Sequence, residues 1–119
     1  MSKIYSAVAS VLMLGLSVSV SVAAADLSRD QRIDLTVFSI RAMGIDKGAS
    51  DIKEVPSQSE VLEVVKAGIN VNQLLCARIT SVRPLKIRGA YEVACVAYRN
   101  GTATKTYVLD SSKGAAFEP

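Results

Sequence analysis

The dipeptide Asn100-Gly101 stands between two runs rich in β-branched and aromatic residues, Tyr91–Arg99 and Thr102–Asp110. Asn-Gly is the strongest short hairpin signal, because both central residues of a type I′ turn need positive φ. Pairing Arg99 with Thr102 sets Cys95 opposite Thr106 and Val93 opposite Val108, which puts Ala94, Val96 and Tyr98 on one face with Tyr107 and Leu109. A third run, Leu75–Val82, pairs antiparallel with Tyr91–Arg99 when Cys76 is set opposite Cys95. Arg78 then faces Val93, Thr80 faces Tyr91, and Pro84 and Gly89 fall in the connecting loop. The expectation is a three-stranded antiparallel meander over residues 75–110.

Two segments ahead of it carry helical signals. Ser28 and Gln31 have the spacing of a capping box, Ile33, Val37 and Ile40 recur at helical intervals, and Gly44 offers a stop, so the spacing predicts a helix over Arg29–Met43 within residues 26–44. The rival pattern there is strand-like alternation of Ile33, Leu35 and Val37, and the length of the segment favours the helix. Residues 45–56 are polar and read as a connection. Ser57 and Glu60 form a second box after Pro56, and Val61, Leu62, Val64 and Val65 supply an apolar face that ends at Gly68, which predicts a helix over 57–68. Glu63 and Lys66, three apart, can pair weakly. The fold class is therefore α+β, one or two helices packed on a small antiparallel sheet.

The start of the chain sets the compartment. Lys3 is followed by an uncharged run from Ile4 to Ala25, most apolar over Val11–Leu16 and closing in Ala23-Ala24-Ala25 before Asp26. That is the pattern of a secretory signal peptide over residues 1–25, cut after Ala25, and it leaves residues 26–119 as a single small domain. The rival reading is an uncleaved anchor, against which Ser6, Ser10, Ser17, Ser19 and Ser21 dilute the run. The expected location is periplasmic or secreted, with no stable membrane insertion after cleavage. In an oxidising compartment Cys76 and Cys95 are expected to form a disulfide, and the wide spacing between them does not suit a redox pair.

The chain has 119 residues and no histidine, which removes serine triads, His-Cys dyads and the common zinc sites. Glu54, Glu60 and Glu63 cluster in sequence, but Glu60 has a capping role and helical spacing exposes the others. No catalytic, cofactor-binding or metal-binding residue is assigned, and the expectation is a non-enzyme. A formal charge of +3 says little about partners. The basic residues Arg78, Arg83, Lys86, Arg88, Arg99 and Lys105 concentrate in the strand region, with Glu92 the one acid between Cys76 and Lys105. They offer a surface for an anionic partner, or equally a guard on strand edges. A nucleic-acid partner is not expected, since few aromatics are available to stack bases. Tyr91, Tyr98 and Tyr107 all lie on the hairpin, either as packing residues or as a recognition surface. Asn100-Gly101-Thr102 also fits the N-glycosylation pattern, which the turn already explains.

The segment Tyr91-Glu92-Val93-Ala94-Cys95, continued by Asn100-Gly101 and by Tyr107-Val108-Leu109-Asp110 before Gly114, resembles the end of PepSY-type secreted domains. The resemblance covers about half of residues 26–119 and implies a helix against a small antiparallel sheet and a non-catalytic module that regulates an extracytoplasmic enzyme. Cys76, Cys95 and the stretch Arg29–Met43 depart from that pattern. The expected function is a small exported binding or regulatory module acting through contacts with an envelope protein, by way of Tyr98, Tyr107, Arg78, Arg83, Lys86 and Arg88. The alternative is an accessory component of an envelope assembly that docks through the 29–43 helix.

Overall fold

The computed structural model describes residues 26–119; the signal peptide expected over residues 1–25 lies outside the described residues. Two helices, α1 (Arg29–Ala42) and α2 (Gln58–Val71), precede a four-stranded antiparallel meander of β1 (Arg78–Pro84), β2 (Ala90–Val96), β3 (Thr104–Asp110) and β4 (Ala115–Phe117) in the order β1-β2-β3-β4. The α+β class and the Cys76–Cys95 disulfide are as expected from the sequence. The short β4 adds a fourth strand to the three read from it.

Both capping boxes form. The Ser28 hydroxyl accepts from the Gln31 N–H, and the Gln31 side chain accepts from the Ser28 N–H at 2.8 Å; Ser57 and Glu60 make the same reciprocal pair. The cap holds the Glu60 carboxyl below its usual pKa, chiefly through the hydrogen bond from the Ser57 backbone. Helix α1 ends as Gly44 predicts: at φ +86°, Gly44 donates its N–H to the Arg41 carbonyl and Ile45 donates to Ile40, a Schellman closure. Helix α2 does not stop at Gly68 but runs to Val71. There the same closure is made by Gln73 at φ +70° and by Leu74, whose N–H reaches the Ile69 carbonyl. Gly68 instead lies at the helix–helix contact, where a Cβ would come within 2.8 Å of the Phe38 ring.

The core lies between the helices and one face of the sheet. Leu35 and Phe38 of α1 and Val61, Val65 and Ile69 of α2 meet Tyr91, Val93, Cys95, Tyr107 and Leu109. The inward stripe of α1 therefore centres on Leu35 and Phe38; of Ile33, Val37 and Ile40, Val37 is buried and the other two are half-buried. The Thr36 and Ser39 hydroxyls on that helix are buried, and each donates to the carbonyl four residues back. Helix α1 belongs to the core.

Both strand registers differ from expectation. Cys95 faces Lys105, Val93 faces Tyr107 and Tyr91 faces Leu109, one residue away from the register that a two-residue turn would impose. The reason lies in the loop. Asn100 and Gly101 are not at positive φ; Gly101 closes a turn from Tyr98 inside a longer loop that the Ala97 N–H and Ala103 carbonyl seal at 2.9 Å. Gly101 thus takes the last position of a four-residue turn, where glycine is also favoured. The slip sets Tyr107 and Leu109 on the core face beside Val93 and Cys95, instead of on the face of Ala94 and Val96. Between β1 and β2, Ile79 faces Cys95 and Val82 faces Val93, with a bulge at Thr80, so Cys76 precedes the ladder. Pro84 ends β1 opposite Tyr91 rather than sitting in the loop, which Gly89 does at φ +82°.

Candidate functional site

The helices cover one face of the sheet, and the side chains of Ala94, Thr106, Val108 and Phe117 alternate onto the other. At one end of this outer face the loop from Leu85 to Gly89 folds beside β3 and β4. The loop is closed by the Leu85 N–H on the Ala90 carbonyl and the Ala90 N–H on the Ile87 carbonyl. It presents Ile87, 75% exposed, across from Phe117, 50% exposed. Together with Leu85, Val108, Lys86 and Arg88 they line an open groove of about 400 Å³. Large apolar side chains gathered on an uncovered face mark a contact surface more than scattered ones do.

The charges around this groove are unequal in their freedom. Asp110 is engaged by the Ser112 N–H at 3.0 Å and by its hydroxyl, and the hydroxyl bond is the main reason its carboxyl sits below the usual range. Glu92 binds Arg83 at 2.7 Å across the strands, and Glu118 pairs with Lys105 at 3.6 Å. Lys86 and Arg88 have no carboxylate partner among the described residues. The groove therefore offers apolar surface with Lys86 and Arg88 unpaired on its rim beside the Asp110 carboxylate, whose hydrogen bonds from Ser112 leave its charge in place.

The residues expected to form one partner surface separate in the fold. Lys86 and Arg88 rim the outer groove. Arg83 is engaged with Glu92, and Arg78 lies at the other end of β1. Tyr98, 59% exposed, projects from the 97–103 loop. Tyr107 is withdrawn from any surface: it is buried, and its hydroxyl donates to the Leu75 carbonyl at 2.7 Å. The two tyrosines do not share a face, a direct result of the one-residue slip. Ile87 and Phe117 were missed by the sequence reading; the signal available was an apolar residue held between two cations in a turn.

The β1 edge of the sheet is a poor template for strand addition, since it carries the Thr80 bulge and Pro84, which has no N–H to offer; on the other side β4 pairs with β3 only over Val108–Asp110. Among the described residues no group of three His, Cys, Asp or Glu could hold a metal, and no helix is long and apolar enough to cross a membrane. Of the glutamates that cluster in sequence, Glu60 is engaged in its cap and Glu63 pairs with Lys66 at 3.0 Å. Comparison with family models, with curated proteins and with solved structures returns no match to this chain.

Proposed function

We propose that this chain is a small exported, non-catalytic module that binds an envelope protein through the outer face of its sheet. The observation that carries the reading is the groove between Ile87 and Phe117, an apolar surface left open where no helix covers the sheet. Burying either side chain in a partner would contribute about 1.5–3 kcal/mol, enough for a few such residues to dominate an interface. The bridge of Cys76 to Cys95 supports export to an oxidising compartment. The groove is lined by side chains and lies on a face of the sheet, so the contact is made by side chains rather than by an added strand.

The test is a comparison of the wild-type domain with an Ile87→Asp, Phe117→Ser variant, each produced with its disulfide and used to retain partners from a detergent extract of the producing cells. A protein retained by the wild type and lost by the variant, at an unchanged melting temperature, supports the reading. Equal retention by both contradicts it.

A further inference from the structure

A second groove, of about 360 Å³, opens between α2 and the start of β1. Leu62, Ala77 and Ile79 supply its apolar lining, and Arg78, Arg99, Lys66 and Glu63 stand around it with Ser59. Lys66 is neutralised by Glu63 at 3.0 Å. Arg78 and Arg99 have no carboxylate partner among the described residues, although they come from separate elements, β1 and the 97–103 loop. With Lys66 and Glu63 paired to each other, the two guanidinium groups leave the groove with a net positive charge that an anion would complement. A bare anion at this exposed position would gain little in water. The apolar lining adds the binding free energy that charge alone lacks there.

We propose that this groove binds an anionic amphiphile, with a phosphate or carboxylate head between Arg78 and Arg99 and an alkyl chain on Leu62, Ala77 and Ile79. An added peptide strand is disfavoured, because the Thr80 bulge interrupts β1 one residue beyond Ile79 and Pro84 withholds a donor further along. The site is separate from the Ile87–Phe117 groove, and it stands or falls independently of the function proposed there.

The test is a titration of the ¹⁵N-labelled, disulfide-bonded domain with dodecyl phosphate below its micelle concentration. Saturable shifts are expected at the amides of Leu62, Lys66, Arg78, Ile79 and Arg99. Inorganic phosphate and dodecyl maltoside at the same concentration are expected to leave those amides unmoved. Arg78→Gln together with Arg99→Gln is expected to weaken binding about tenfold or more, roughly the loss of one charge-assisted contact, with no change in melting temperature. Phosphatidylglycerol vesicles separate the two sources of the ligand: retention on vesicles that the double variant loses assigns a membrane lipid, and dodecyl phosphate binding without vesicle retention assigns a free amphiphile. The proposal is overturned by the absence of shifts, by shifts centred on Ile87 and Phe117 instead, by unchanged affinity in the double variant, by equal binding of inorganic phosphate, or by an acidic peptide that binds these amides more tightly.

Discussion

Asn70 holds Cys76 by both of its backbone groups: the Asn70 amide donates to the Cys76 carbonyl at 3.2 Å, and its oxygen accepts from the Cys76 N–H at 3.1 Å. The last turn of α2 thereby fixes the start of the sheet just where the disulfide leaves for Cys95, with the two Cα atoms 5.2 Å apart. Asn70→Ala leaves two half-buried backbone groups without a protein partner and is expected to cost about 1–3 kcal/mol. Urea unfolding of the oxidised protein measures it. Removing the bridge itself, as Cys76→Ser with Cys95→Ser, is expected to cost about 3 kcal/mol through the freed loop.

Tyr91 gives the domain an alkaline limit. Its hydroxyl donates to Asp34 at 2.8 Å, and burial, then that hydrogen bond and the negative charge of Asp34, raises its pKa well above the ordinary tyrosine value. Tyr107 is raised as well, chiefly by burial. A raised folded pKa means that the unfolded chain loses its proton first, so this stability is complete below pH of about 10 and is lost as pH rises above it. Tyr91→Phe is expected to lower stability by about 1–2 kcal/mol at pH 7 and to flatten the decline between pH 9 and 11. Chemical unfolding across that range is the check.

On the acid side the sign reverses. The Glu60 and Asp110 carboxyls are held below their usual pKa by Ser57 and Ser112, so what they contribute is present above the ordinary carboxylate range and is lost as pH falls through it. Glu60→Gln keeps a capping side chain and removes the titration. A shallower fall in melting temperature between pH 5 and 3 than in the wild type is the expected outcome.

Gly114 and Gln73 form a matched pair of tests at positive φ. Gly114, at φ +69°, turns the chain from β3 into β4 directly against α1, and a Cβ there would lie 2.4 Å from the Ala42 nitrogen. Gly114→Ala is expected to cost about 3 kcal/mol, from overpacking against backbone and from the left-handed conformation. Gln73 occupies the same region of φ with a side chain, so Gln73→Gly is expected to stabilise by roughly 0.5–1 kcal/mol. Thermal unfolding of the two variants gives the signs.

What could be read from the sequence was local. Ser28, Gln31, Ser57 and Glu60 announce their helix starts because a capping box is satisfied within four residues, and the cysteine pairing is legible from the leader-like pattern of the first 25 residues and the count of two. The registers depend on contacts that no local pattern encodes. Asn100-Gly101 favours a tight turn, but pairing Val93 with Tyr107 buries the Tyr107 ring and lets its hydroxyl reach Leu75, which the two-residue turn would forbid. The stop expected at Gly68 gave way to packing against Phe38 for the same reason. The candidate surface was half legible: Lys86 and Arg88 stood out as charge, whereas Phe117 joins them through β4, a strand of three residues with too little pattern to detect.

The most direct test of the central claim, that the uncovered sheet face is the contact surface, is photo-crosslinking in the producing cells from a reactive side chain placed at position 87. The account predicts one discrete adduct that is weakened by Lys86→Glu with Arg88→Glu and absent when the probe is moved to the exposed position 53 of the connector. No adduct from position 87, or the same adduct from both positions, would contradict it.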